Sequence, residues 1–223
     1  MSRNDQYLID GVGLWSQLLS ERPATAGRPC LFLDRDGVLV DEVHFLQRPA
    51  DVRLAEGIAA AIAAANAAGF AVVVVTNQSG IARGLFGWEA FAAVQAEIVA
   101  RLAAAGARLD AVLACAYHHD GRPPFDVADH EWRKPRPGML LHAARLMALN
   151  LPRSVIIGDR ISDLEAGRNA GLAGGTLVMT GYGRDHSPRL AAVRSDPAWA
   201  SFPIAVAERP AEAVRAALAA ALA

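Results

Sequence analysis

The chain has 223 residues and a formal net charge of −1, and 53% of its residues are hydrophobic. That composition excludes disorder, the near-neutral charge gives no footing for a polyanion partner, and the length suits one domain with or without decorations. Two cysteines, Cys30 and Cys115, are too few for a disulfide framework and point to a reducing cytoplasm.

Residues 1–28 come before the first strand signal and are expected to form an arm on a main domain spanning 29–223. The opening MSRNDQYLIDGVG has no basic n-region and no apolar h-region, so no signal peptide is expected. Within the arm, GVGLWSQLLS is expected to pack on the core through Leu14, Trp15, Leu18 and Leu19. The first strand is predicted at 30–34 (CLFLD), and Asp34, Arg35, Asp36 and Gly37 follow at its end. Residues 57–75 are nearly all apolar and approach the length of a membrane span, but Asn66 and Gly69 interrupt them and Ala gives way to Val after Gly69. The reading is a buried helix at about 57–68, a glycine stop, and a buried strand at 70–75.

Thr76, Asn77, Gln78, Ser79 and Gly80 follow that strand. A helix is predicted at about 87–105 and a strand at 111–116, then a loop to Arg133, Lys134 and Pro135 and a helix at about 137–149. The strand at 154–158 ends at Asp159 and Arg160, with Asp163 one turn on in a helix at about 163–170, and a last strand is predicted at 175–179. Apolar strands alternating with helices imply an α/β protein whose parallel sheet is covered on both faces. Such folds bind ligands at the carboxyl ends of the strands, where these polar residues fall.

Three acids, a lysine and a Thr-Asn pair at one sheet edge suit phosphoryl transfer. One aspartate can attack phosphorus as a covalent nucleophile, and a second carboxyl can protonate the leaving oxygen and then activate water. Acids this close do not all ionise cheaply without a cation, and Mg²⁺ prefers such oxygen ligands, with Asp159 completing the set. Lys134 would add positive charge, while Thr76 and nearby N–H groups would donate to phosphoryl oxygens, with Gly37 and Gly80 allowing close approach. Taken singly, the D-x-D is equally a solvated turn, Asp159 with Asp163 a helix-start acid pair, and Lys134 a loop lysine. Their joint placement at successive strand ends favours the site.

The runs FLDRDGVL, VVVTNQSGIARG, RKPRPGML and IIGDRISDLEAG resemble, in order, the four motifs of the haloacid-dehalogenase-like (HAD) phosphatases. Within that family the chain is most similar to the histidinol-phosphate and heptose 1,7-bisphosphate phosphatase subgroup, over about residues 30–183. The resemblance implies a three-layer Rossmann-like fold. It implies Asp34 as nucleophile, Asp36 as general acid/base, Thr76 and Lys134 on the phosphoryl group, and Mg²⁺ on Asp34, the Asp36 main-chain carbonyl and Asp159. It also implies substrate contacts from Arg133 and a pocket lined by Asn77, Gln78 and Ser79.

The intervals between motifs are too short for a large cap domain, so an open site is expected, shaped by the 41–50 loop with Glu42, His44 and Phe45 and by the 117–133 loop. Arg160 stands where the heptose enzymes typically have lysine. Their usual zinc loop, C-x-H…C-x-C, is replaced by Ala116, His118, His130 and Trp132. Cys115, His118, His119 and His130 are acceptable zinc ligands in kind, but loop histidines without structural zinc are the expectation. The expected activity is hydrolysis of a small sugar phosphate, heptose 1,7-bisphosphate first. Histidinol phosphate or another small metabolite is the alternative, ahead of a nucleic-acid end phosphatase or a non-catalytic binding domain. No nucleic-acid or membrane partner is expected, and the chain is expected to be a monomer or weak homodimer.

Overall fold

The computed structural model describes residues 4–20 and 26–222. In chain order its main elements are β1 (Leu14–Leu18), β2 (Cys30–Leu33), α1 (Ile58–Ala67), β3 (Ala71–Asn77), α2 (Ser79–Ala82), α3 (Trp88–Ala104), β4 (Ala111–Cys115), α4 (Gly138–Met147), β5 (Val155–Gly158), α5 (Ile161–Asn169), β6 (Gly174–Val178), α6 (Gly183–His186), α7 (Leu190–Ser195), β7 (Ile204–Ala207) and α8 (Pro210–Leu222). The strands form one sheet in the order β1-β4-β3-β2-β5-β6-β7. Every pair is parallel except β1 with β4.

The central strands are apolar without alternation because both faces are covered. Leu31, Leu33, Val72 and Val74 pack in one core with Ile62 of α1, Val94 and Ile98 of α3 and Val214 of α8. Cys30, Phe32, Val73 and Val75 turn to the other, with Met139 and Leu140 of α4 and Leu164 of α5. The α/β fold is thus a three-layer arrangement about a mostly parallel sheet, with no large cap domain among the described residues.

The segment expected to rest on the core as an arm supplies β1, an antiparallel edge strand. Leu14 and Trp15 are buried on opposite faces, whereas Leu18, expected to pack, is 48% exposed near the strand's end. The apolar 57–75 run divides as predicted into α1 and β3, with Gly69 at φ +85 between them. No helix among the described residues is long and apolar enough to cross a membrane. The chain beyond residue 183 carries elements that the pattern did not predict. β7 is short and only half-buried, and the Ala-rich α8 lies against the Ala-rich α1 through Ala211, Val214 and Leu218. Such small side chains leave almost no periodic signal, yet let two helices approach closely.

Candidate active site

The carboxyl ends of β2, β3 and β5 meet in the middle of the sheet, and the candidate residues converge there. Asp34 follows β2 and is almost fully buried. Its Oδ1 accepts the Arg35 main-chain N–H at 2.7 Å and lies 3.1 Å from Lys134 Nζ. Lys134 Nζ also donates to the Val75 carbonyl at 2.8 Å and lies 2.7 Å from Asp163 Oδ1. Burial disfavours this ammonium, but Asp163 and Asp34 outweigh it and hold the lysine above its usual range. The lysine is therefore a fixed cation between two acids.

Asp163 is the member of this group that the site prediction omitted. Helix α5 begins at Ile161, two residues earlier than expected, so Arg160 is its N-cap and Asp163 its N3 residue. One Asp163 oxygen accepts the Arg160 main-chain N–H at 2.9 Å while the other faces Lys134. The helix-start reading and the site reading of Asp163 hold at once.

Asp36, two residues past Asp34, turns elsewhere. The buried Arg35 donates to it twice, Nε to Oδ1 at 3.0 Å and Nη2 to Oδ2 at 2.9 Å. Gln78 Nε2 donates to Asp36 Oδ2 at 3.1 Å and to Thr76 Oγ1 at 2.9 Å, and Gln78 Oε1 accepts from Arg35 at 3.2 Å. Asn77 exchanges two hydrogen bonds with the Lys134 main chain, at 3.0 and 3.1 Å. Gln78 and Asn77 border the cavity, but their amides serve to hold Asp36 and Lys134 in place. Glu42 similarly spends one oxygen on the His44 N–H, at 2.6 Å, within the 41–50 loop.

Asp159 follows β5. Its Oδ2 accepts the Tyr182 N–H at 2.8 Å, while its buried Oδ1 has no hydrogen-bond partner. Gly37 (φ +77) and Gly181 (φ +52) close over this carboxylate, and a Cβ on Gly37 would lie 2.5 Å from Oδ2. Asp34, Asp159 and Asp163 offer oxygens within 4.8 Å of one another. Burial, then the neighbouring acids, push Asp159 well above the usual carboxylate range; burial also raises Asp34, against the opposing pull of Lys134. Repelled, buried oxygens with one left unpartnered fit a hard divalent cation such as Mg²⁺. The Asp36 side chain lies outside this cluster, leaving its main-chain carbonyl as the group the resemblance assigns to the cation.

The cavity in front of these groups has a volume of about 340 Å³, and Phe45, Ser79 and Tyr182 line its rim. Four arginines also line it: Arg35, committed to Asp36 and Gln78, and Arg83, Arg133 and Arg160. Arg133 is lowered first by burial and, against an opposing effect of Cys115, by Arg160 and Arg83. Arg160 stacks on Tyr182 at 3.7 Å. Sequence reasoning passed over Arg83 and Tyr182; the IARG run after the Thr76 motif was the available signal for Arg83.

Of the groups considered for zinc, Cys115 is buried in β4, and burial pushes its thiol up to about 12. His130 stacks on Tyr117 at 4.4 Å, whereas His118, His119 and Asp120 offer ligand atoms within 4.8 Å of one another.

A mostly parallel sheet with a buried lysine and clustered aspartates at its carboxyl edge suits phosphoryl transfer, and similarity to known phosphatases makes the class a phosphoric monoester hydrolase. The HAD-hydrolase-like family model matches residues 131–202. A D-glycero-β-D-manno-heptose-1,7-bisphosphate 7-phosphatase of Mesorhizobium japonicum is 49% identical over 166 residues, 74% of this chain and 76% of that one. A HAD-like phosphatase from Mesorhizobium loti superposes with a TM-score of 0.80 at 42% identity, covering 94% of this chain and 93% of that one. A D,D-heptose 1,7-bisphosphate phosphatase from B. bronchiseptica, complexed with magnesium and phosphate, gives 0.72 at 32% identity over 86% and 99% of the two chains. The chain belongs to the HAD-like hydrolases and is a phosphatase of that superfamily.

Proposed function

We propose that the chain removes the 7-phosphate of D-glycero-D-manno-heptose 1,7-bisphosphate. The observation that carries the reading is the second set of cations. Lys134 is taken up by Asp34 and Asp163, yet Arg133 and Arg160 still line the same cavity, together with Arg83, which pairs with Asp120 at 3.3 Å. Guanidinium forks suit a second phosphate, which a bisphosphate supplies. The relatives named above as heptose bisphosphate phosphatases point the same way. Histidinol phosphate fits less well, since its amine would enter a cation-lined rim where one Glu42 oxygen already accepts the His44 main-chain N–H.

In this reading Asp34 attacks phosphorus through Oδ2, because Oδ1 is held by Arg35 and Lys134. The P–O bond to the sugar breaks, and Asp36 gives its proton to the departing oxygen. Asp36 then takes a proton from water, which attacks phosphorus and frees phosphate and Asp34. Thr76 and Lys134 hold the phosphoryl oxygens. Mg²⁺ on Asp34, Asp159 and the Asp36 carbonyl would neutralise the acid cluster and the phosphoryl charge.

The 115–132 loop keeps its shape through packing and hydrogen bonds, without zinc: Cys115 is held as a thiol, His130 stacks on Tyr117, and His118 and His130 accept the Asp120 and Trp132 N–H groups. Two buried free cysteines suit a cytoplasmic protein. The partner is a small phosphate ester, neither nucleic acid nor membrane, and the chain acts as a monomer or weak homodimer.

Comparing kcat/KM for the heptose bisphosphate, a sugar monophosphate and histidinol phosphate, with Arg133→Ala alongside, tests the substrate. The bisphosphate should lead, and Arg133→Ala should remove its advantage. Preference for histidinol phosphate, or an unaltered advantage in Arg133→Ala, overturns the reading.

A further inference from the structure

The turn between Ile9 and Leu14 in the N-terminal segment is tied to the loop that carries Arg133. Asp10 Oδ1 accepts three consecutive main-chain N–H groups, from Val12, Gly13 and Leu14, at 3.0, 2.9 and 3.0 Å. Its other oxygen accepts the Tyr117 hydroxyl at 2.6 Å. The Tyr117 ring lies against this turn, so close that a Cβ on Gly13 would stand 2.6 Å from it. The ring also stacks on His130 at 4.4 Å with 22° between planes. The Tyr117 main-chain carbonyl accepts Arg133 Nη1 at 2.9 Å.

The turn itself is fixed from two sides. Trp88 Nε1 of α3 donates to the Val12 carbonyl at 2.8 Å. The Gly13 carbonyl accepts the Ala116 N–H at 2.9 Å, where β1 begins to pair with β4. A path of direct contacts therefore runs from α3 and β1 through Asp10 and Tyr117 to the Arg133 guanidinium.

We infer that Asp10 and Tyr117 are positioning residues for Arg133, which makes the N-terminal segment part of the substrate-recognition apparatus. This rests on the reading that Arg133 grips the phosphate that is not transferred. Arginine has many rotamers, and freezing one before substrate arrives lowers the entropy cost of binding. With the phenol tied to Asp10, the Tyr117 carbonyl stands at one place and holds one arm of the fork. The other N–H groups are then presented to the cavity. Without that tie the loop loses its anchor and the guanidinium samples more positions.

The test is a steady-state comparison on heptose 1,7-bisphosphate and the 7-monophosphate, which lacks the second anionic group. Asp10→Ala and Tyr117→Phe should each raise KM for the bisphosphate by roughly five- to tenfold, the scale of one ordinary hydrogen bond. Their kcat on the bisphosphate and both parameters on the monophosphate should stay within about twofold, since the Asp34 end of the site is untouched. Arg133→Ala is run in parallel. If it leaves the bisphosphate preference intact, the substrate reading fails first. If it removes the preference while Asp10→Ala and Tyr117→Phe leave KM unchanged, the positioning role alone is overturned. A uniform fall in kcat on both substrates, with a lowered melting temperature, also overturns it, because that is the mark of a general structural role.

Discussion

Replacing Asp159 with asparagine should stabilise the metal-free chain while removing its response to Mg²⁺. Asp159 is 1% exposed, has one oxygen without a partner, and faces Asp34 and Asp163. Asparagine keeps an acceptor for the Tyr182 N–H and discards the repelled charge. An uncompensated buried charge costs about 3–5 kcal/mol, and proton uptake relieves part of it, so the metal-free gain should be about 2 kcal/mol. For a chain of this size that is a rise of about 4–8 °C in Tm in EDTA near neutral pH.

The pH dependence has a fixed sign. Burial and the neighbouring acids hold native Asp159 above its unfolded pKa, so the native state binds the proton more tightly. The penalty is absent below the ordinary carboxylate range and grows as pH rises toward the native value. The asparagine variant's advantage should therefore vanish in acid and widen toward neutrality. Mg²⁺ at a hundredfold over its Kd would then stabilise the wild type by about 2.7 kcal/mol and the variant hardly at all, which reverses the order. Differential scanning fluorimetry with EDTA or Mg²⁺ across pH reads all of this. A variant less stable than wild type in EDTA at neutral pH, or equally shifted by Mg²⁺, would refute the account of this site.

Asp34→Asn should fold normally and lose turnover, because an amide cannot form the acyl-phosphate; phosphate release above the level of deamidated protein, checked by mass spectrometry, would exclude that mechanism. Asp36→Asn should still bind substrate but lose roughly 10²–10⁴-fold in kcat, and a loss of only a few-fold would move the proton role elsewhere. Gly181→Ala should weaken Mg²⁺ activation, since the new methyl is driven into the Asp159 carboxylate. An unchanged Mg²⁺ titration of activity would show that the cradle around Asp159 is not needed.

The positions of the acids were legible because parallel strands with apolar runs end abruptly in polar residues, and a strand end is a place in space as well as in sequence. Asp34, Thr76 and Asp159 could be gathered on that logic alone, whereas Lys134 comes from the loop before α4 and is gathered by its motif. What each side chain does once there depends on neighbours brought in by other segments. Asn77 and Gln78 follow β3 as any pocket residue would, yet their amides are spent on Lys134 and Asp36. Asp163 looked like a helix-start acid because it is one; its second tie depends on Lys134 arriving from the loop before α4. The N-terminal edge strand was illegible for a related reason. Leu14 and Trp15 face opposite cores and leave no alternation to read, and only β4 beside them makes LWSQL a strand.

The spacing of Asp34 and Asp36 explains how two carboxylates two residues apart keep separate duties. The chain between them tightens after β2, with the N–H groups of Val38, Leu39 and Val40 all directed at the Arg35 carbonyl. Asp34 is left facing Lys134, while Asp36 turns back against the Arg35 side chain. Arg35 is itself pinned, its guanidinium 5.3 Å from the Phe91 ring of α3 and hydrogen-bonded to Gln78. A lysine there would supply charge but no fork, and so could not hold both Asp36 oxygens in one plane. The residue between the two aspartates thus acts as the separator. It holds one carboxylate out of the repelled cluster that the other joins, which under the proposed mechanism would let a cation gather the cluster without recruiting the Asp36 side chain.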